Sequence, residues 1–210
     1  MSLLLETIQI RSGILMNPLY HQRRMHASSL VLLGKSINFD LLTLPIPAEA
    51  KKGIVKCRIL YENKVEFIEF EPYIQRQIRS LQMVIDNTIS YSHKFADRSQ
   101  IIELLKQKGE ADDILIVKNG RITDTSFGNV VLCKGNEYYT PSSFLLNGTK
   151  RQQLLNDGFI TEQDFSPDDL FCMDKLIVIN AMLDLDSGVE VNISSVFKSR
   201  IYKTIQIRKS

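Results

Sequence analysis

Lys94 lies in Tyr91-Ser92-His93-Lys94-Phe95-Ala96-Asp97, between aromatic residues and just ahead of a helix start. Apolar surroundings disfavour the charged form of a lysine, and a neutral amine can act as a nucleophile. Most lysines are solvated surface groups, so the reading depends on what surrounds this one. Three other places could serve a phosphate-bearing ligand. Asn147-Gly148-Thr149-Lys150-Arg151 sets a glycine and a threonine at a helix start, where free backbone N–H groups and the helix dipole favour an anion. Arg24 could bring a cation to the same anion. Asn180-Ala181 ends a buried strand with a small polar residue, a common way to present backbone donors.

A fifth stretch, Asp112–Leu132, carries a polar set inside apolar strands. Ile114–Val117 is an apolar run, and Asn119-Gly120 marks a hairpin turn because both residues tolerate positive φ. The return strand starts at Arg121-Ile122-Thr123, breaks at Asp124-Thr125-Ser126-Phe127-Gly128-Asn129 and resumes at Val130-Val131-Leu132. Polar groups in such a position cost stability unless they are hydrogen-bonded. By itself the set reads as an ordinary polar loop; a site for a buried polar ligand is the sharper alternative.

The elements that must hold these residues follow from pattern. Leu3–Arg11 reads as a strand. Asn17 and Pro18 look like the cap and first residue of a helix that stops at Gly34, with His21 and Arg24 on one face. Ile54–Tyr61 and Val65–Phe70 alternate with period two around Glu62-Asn63-Lys64, an antiparallel hairpin. Tyr73–Met83 is extended or mixed. Asp97 caps a helix through Ile101, Ile102, Leu104 and Leu105 that ends at Gly109. A short helix runs from Thr149 to about Gly158, and Ser166-Pro167-Asp168-Asp169 opens one more helical turn. Lys175–Asn180 is a buried strand and Val189–Ile193 a terminal one. Hairpins with intervening helices imply an α+β fold. The division expected is a small part over 1–90 and a larger one over 91–210.

Composition narrows the class. A chain of 210 residues can bury a proper core. A net charge of +2 leaves no footprint for nucleic acid. Three widely spaced cysteines, Cys57, Cys133 and Cys172, suggest free thiols in a reducing compartment, with no metal site. The start lacks the features of a signal peptide, and no apolar run approaches the roughly 20 residues that span a bilayer. A cytoplasmic protein without membrane contact is expected.

In order and spacing, these pieces resemble the class IV aminotransferases, the fold-type IV pyridoxal 5'-phosphate (PLP) enzymes. That family includes branched-chain and D-amino acid aminotransferases and aminodeoxychorismate lyase. His21-Gln22-Arg23-Arg24-Met25 resembles its His-x-x-Arg-Leu helix. Thr123-Asp124 through Asn129 resembles its Thr-Glu-x-x-x-x-Asn signature, with Asp124 where Glu is usual. Thr140-Pro141 and Leu146-Asn147-Gly148-Thr149-Lys150-Arg151 resemble its Thr-Pro…Leu-x-Gly-x-x-Arg phosphate loop. Ile179-Asn180-Ala181-Met182 resembles the Cys-Asn-Ala-Leu stretch of the lyase branch.

The resemblance implies a two-subdomain fold: a small N-terminal α/β part and a larger, β-barrel-like C-terminal part. It implies PLP as cofactor, Lys94 as the catalytic lysine that carries it, and Asp124 at the pyridine nitrogen. Arg24, Gly148, Thr149, Lys150, Asn180 and Ala181 would serve the phosphate, and Asn129 would hold the hairpin in shape. Tyr91 or Tyr61 would reach the phenolic oxygen. A homodimer acting on a small amino substrate is the expected assembly. The small size, the Asn-Ala-Met stretch and the lack of an evident second arginine set for a substrate carboxylate lean to 4-amino-4-deoxychorismate lyase. The alternatives are an amino acid aminotransferase, branched-chain or D-amino acid type, and a PLP-binding protein without catalysis.

Overall fold

The computed structural model describes residues 3–198. The N-terminal third forms a four-stranded antiparallel sheet, in order β2-β1-β3-β4. Its strands are β1 (Leu4–Arg11), β2 (Ile14–Leu15), β3 (Ile54–Tyr61) and β4 (Val65–Pro72). In β3 the side chains of Val55, Cys57, Ile59 and Tyr61 are buried and alternate with half-exposed neighbours, as period two requires. The buried face packs under α1 (Pro18–Leu33) with Met25, Ile37 and Leu41. Proline at the first turn and Gly34 at φ 73 bound this helix. Asn17 does not cap it. It has φ 52, and its amide donates to Gln153 Oε1 at 2.7 Å, so it ties two helices together instead.

The second sheet is larger. Residues 73–80 cross to it without regular structure, so only the end of the Tyr73–Met83 stretch becomes strand, in β5 (Leu81–Ile85). α2 (Ser99–Leu105) then carries the chain to β6 (Asp113–Lys118), which pairs parallel with β5. A parallel pair needs such a crossover. Asp97 Oδ1 accepts the N–H of Ser99 at 2.8 Å at the helix start. Asn119 and Gly120, at φ 52 and 74, make the tight turn into β7 (Arg121–Thr125). β8 (Asn129–Lys134), β9 (Glu137–Pro141), α3 (Thr149–Asn156), β10 (Thr161–Gln163), β11 (Lys175–Ile179), β12 (Val189–Asn192) and β13 (Val196–Phe197) follow. Their order is β10-β9-β8-β7-β6-β5-β13, with β11 joined to both β8 and β12. The main core lies between these strands and includes Leu115, Ile122, Val130, Leu132, Phe165, Leu176 and Val178. This mixed α/β architecture of few helices and large sheets agrees with the α+β expectation.

The polar set of the hairpin behaves differently from a loop. β7 continues through Asp124 and Thr125, so only Ser126–Gly128 turns. Thr125 closes that turn: its backbone N–H and hydroxyl both reach Gly128 O, and the same hydroxyl accepts the N–H of Gly128. β7 meets β8 at Asp124–Asn129, while β11 runs beside β8 from Asn129 to Cys133. Gly128 is required there, because a Cβ would lie 2.6 Å from Ile179 O and 2.8 Å from a Val178 methyl.

Candidate active site

The segment holding Lys94 is laid along β1. Leu5 N–H donates to Lys94 O at 2.9 Å and Ala96 N–H to Leu3 O at 2.8 Å. Lys94 is thereby fixed beside the strand that carries Glu6. It lines a cavity of about 610 Å³ between the two sheets, a size that suits a cofactor-sized ligand. Burial, and then the Arg24 charge, brings its amine down to about 7, against a smaller upward pull from Glu6. The lowered proton affinity makes the neutral amine, the form that attacks a carbonyl, accessible near neutral pH.

Asp124 and Asn129 line the same cavity. Asp124 Oδ2 accepts the N–H groups of Leu145 (3.1 Å) and Leu146 (2.9 Å). Its Oδ1 accepts Asn129 Nδ2 at 2.8 Å, and that amide also donates to Leu146 O at 2.8 Å. Burial pushes the Asp124 carboxyl up to about 6, against these hydrogen bonds. A cationic ring nitrogen placed before it would find a desolvated, well-oriented anion.

The start of α3 is the candidate anion cradle. Gly148 and Thr149 line the cavity, and so do Asn180 and Ala181. Asn180 ends β11 in a tight turn, its Oδ1 accepting Met182 N–H at 2.8 Å and its Nδ2 donating to Phe127 O at 3.2 Å. A Cβ on Gly148 would lie 2.1 Å from Asn129 Oδ1, so only glycine lets the helix start close against the hairpin. Lys150 can offer a ligand only its backbone. Its side chain is not part of the lining; it donates to Asp184 at 2.6 Å and Gln153 at 2.8 Å. Arg151 is buried as a strut, bound to Pro141 O, Asn147 and Glu162, with its guanidinium over the Phe144 ring.

Arg24 also lines the cavity, but its charge is not free. Nε donates to Glu6 Oε1 at 2.8 Å and Nη2 to Glu6 Oε2. Glu6 is fully buried; burial would raise its carboxyl, and Arg24 and His21 outweigh that and hold it down to about 2. Sequence reasoning gave Glu6 no role, although an acidic residue inside an apolar strand is a rare event that signals a buried partner. Of the two tyrosines considered, Tyr91 lines the cavity and its hydroxyl donates to Phe95 O at 2.9 Å, whereas Tyr61 is packed in the core under α1.

The lining also holds an arginine set where none was expected, so its supposed absence no longer favours the lyase branch. Arg58, Arg76 and Arg98 line the cavity mouth together with Lys56. Lys56 and Arg58 are paired across the hairpin with Glu71 and Glu69. Arg98 donates to Ser126 O. Arg76 makes no ion pair among the described residues and stacks over Phe127 at 5.7 Å. These arginines come from β3, from the crossing 73–80 and from the start of α2, so no local motif could announce them.

The family model for amino-transferase class IV matches residues 66–186, more than half of the chain. The chain belongs to the class IV aminotransferase family. An uncharacterized protein of Haemophilus influenzae is 38% identical over 184 residues, spanning 85% of this chain and 97% of its own. A crystal structure from Haemophilus somnus, described provisionally as a 4-amino-4-deoxychorismate lyase, is 36% identical with a TM-score of 0.82, over 88% of this chain and 98% of the other. The PLP-bound form of a hypothetical aminotransferase from Mycobacterium tuberculosis shares the fold at 15% identity and a TM-score of 0.70, over 97% of this chain and 86% of that one. Class IV aminotransferases are PLP-dependent enzymes, and the residues here fit that group: a lysine of lowered proton affinity, a buried carboxylate and a glycine-floored helix start share one cavity. No described helix is long and apolar enough to cross a membrane.

Proposed function

We propose that the protein is a PLP-dependent 4-amino-4-deoxychorismate lyase, releasing 4-aminobenzoate and pyruvate. The observation that carries this reading is the pairing of Lys94 with a cationic mouth. The proton-transferring amine faces a cavity whose entrance holds Arg76 and Arg98, which suits an amine bearing two carboxylates. The likeness to the Haemophilus somnus protein supports the same substrate class.

In this reading PLP, when bound, supplies the electron sink. Lys94 holds it, then takes the proton from the amine-bearing ring carbon of the substrate and returns one to the departing pyruvate. Asp124 keeps the pyridine nitrogen protonated. Asn129 keeps Asp124 aimed. The N–H groups at Gly148 and Thr149, the Asn180-Ala181 turn and the free donors of Arg24 hold the phosphate. A homodimer is part of the proposal, and sedimentation of the purified protein tests it.

The reaction is tested by adding 4-amino-4-deoxychorismate to the PLP-loaded protein with no keto acid present. Stoichiometric 4-aminobenzoate and pyruvate are expected. Turnover that needs an amino donor and a keto acid together would replace this reading with an aminotransferase.

A further inference from the structure

Glu6, His21 and Thr149 form one hydrogen-bonded line from β1 through α1 to the start of α3. His21 is buried, with Nδ1 2.7 Å from Glu6 Oε2 and Nε2 3.3 Å from Thr149 Oγ1. Glu6 is ionised and can only accept, so the proton of a neutral ring sits on Nδ1. Nε2 is then a bare acceptor, and the single hydroxyl proton of Thr149 points at it. That creates a conflict at the anion cradle. With its proton turned toward His21, Thr149 presents only lone pairs to an incoming phosphate.

The conflict has two resolutions. The hydroxyl can rotate to the anion and leave a buried ring nitrogen unpaired, which is costly. Alternatively His21 takes a second proton on Nε2, donates to Thr149 Oγ1 and frees the hydroxyl proton for the anion. Charge balance decides between them. The groups facing His21 are Glu6 from β1, Arg24 from its own helix, Lys94 from the segment before α2 and Thr149 from α3. Burial, Arg24 and Lys94 keep the ring neutral while the cradle is empty, against Glu6. Among the described residues, Arg24, Lys150 and Arg151 are each already offset by a carboxylate and Arg23 points to the exposed side over Tyr20, so an arriving phosphate dianion adds negative charge that no unpaired cation beside Thr149 on these helices answers.

We propose that His21 is a positioning residue that binds one proton together with the phosphate, passing it as a hydrogen bond through Thr149 to the anion. The proton comes from solvent and stays on Nε2 while the anion is bound. This rests on the reading of the α3 start as the cofactor phosphate site. Binding should strengthen as pH falls through the window between the ring's free and bound titrations, by up to about tenfold per unit.

The test follows the ring nitrogens of His21 by long-range ¹H–¹⁵N NMR between pH 5.5 and 8, without and with PLP. His26→Gln and His93→Gln assign the His21 resonances by elimination, and the ³¹P shift reports the phosphate's own titration separately. Without PLP a neutral ring protonated at Nδ1 is expected. With PLP both nitrogens should be protonated at pH 7, with the midpoint raised by a unit or more. His21→Gln, whose amide donates to Thr149 at every pH, should lose the ring's share of the pH dependence of PLP binding. A ring that stays neutral in both states overturns the coupling, even if His21→Gln fails to fold. PLP that borohydride cannot attach to Lys94 overturns the cofactor reading, and the coupling with it.

Discussion

Asn129 Nδ2 donates at 2.8 Å both to Asp124 Oδ1 and to Leu146 O. One amide thus links β7, β8 and the loop before α3, all of which line the cavity. Asn129→Ala leaves a buried carboxylate oxygen and a carbonyl each short of a partner. Urea unfolding should show a loss of about 1–3 kcal/mol, and PLP affinity should fall with it.

The Glu6–Arg24 pair predicts a distinct acid limb. The carboxyl of Glu6 is held at about 2 in the fold against 4.5 normally. Its contribution is therefore complete above the unfolded value and fades as pH falls through the folded one, by about 3 kcal/mol in total. Glu6→Gln should flatten the stability profile in that window. Near pH 7 it should destabilise by about 3–5 kcal/mol, because a largely buried guanidinium loses its counter-charge. Chemical denaturation across pH reads both effects.

Asp124 has the opposite sign. With a folded value raised to about 6, it favours the folded state below the normal carboxylate range, and that contribution is lost as pH rises through 6. In the protein without PLP, the stability of Asp124→Asn relative to the native chain should rise by about 3 kcal/mol on going from pH 4 to pH 7, above a constant loss from the hydrogen bond its amide cannot accept. The same variant should bind PLP weakly, since an amide cannot hold a pyridinium proton. A relative stability that rises with pH while PLP affinity is lost would mark the Asp124 charge as kept for a ligand and not for the fold.

At the cavity mouth, Arg76→Ala should raise KM for 4-amino-4-deoxychorismate by about 10–100-fold, the worth of a charge-assisted hydrogen bond. The kcat should stay within a few-fold, because Arg76 would hold a carboxylate and take no part in the proton transfer. Steady-state kinetics with and without the substitution checks the split.

The site was legible where function rides on local pattern. His21 and Arg24 three apart on a helix, Asp124 and Asn129 flanking a turn, and Gly148-Thr149 at a helix start are short-range signals, and these residues share one cavity or its wall. Lys94 was not singled out by its aromatic flanks alone; the resemblance in order and spacing picked it, and the fold places it in the same cavity. What stayed hidden depends on contacts between distant segments. Glu6 meets Arg24 across 18 positions, and Thr149 meets His21 across 128. The mouth arginines gather from three elements. The pairing of the Lys150 side chain with Asp184, 34 positions away, was equally hidden. Strand ends failed for a related reason: pairing of Asp124 with Asn129 carries β7 through residues whose propensities favour a turn.

The central claim is that Lys94 carries PLP. Borohydride treatment of the PLP-loaded protein, followed by peptide mass mapping, tests it most directly. The account predicts one pyridoxyl adduct, on Lys94, absent in Lys94→Ala. An adduct confined to another lysine, or none at all, would contradict it.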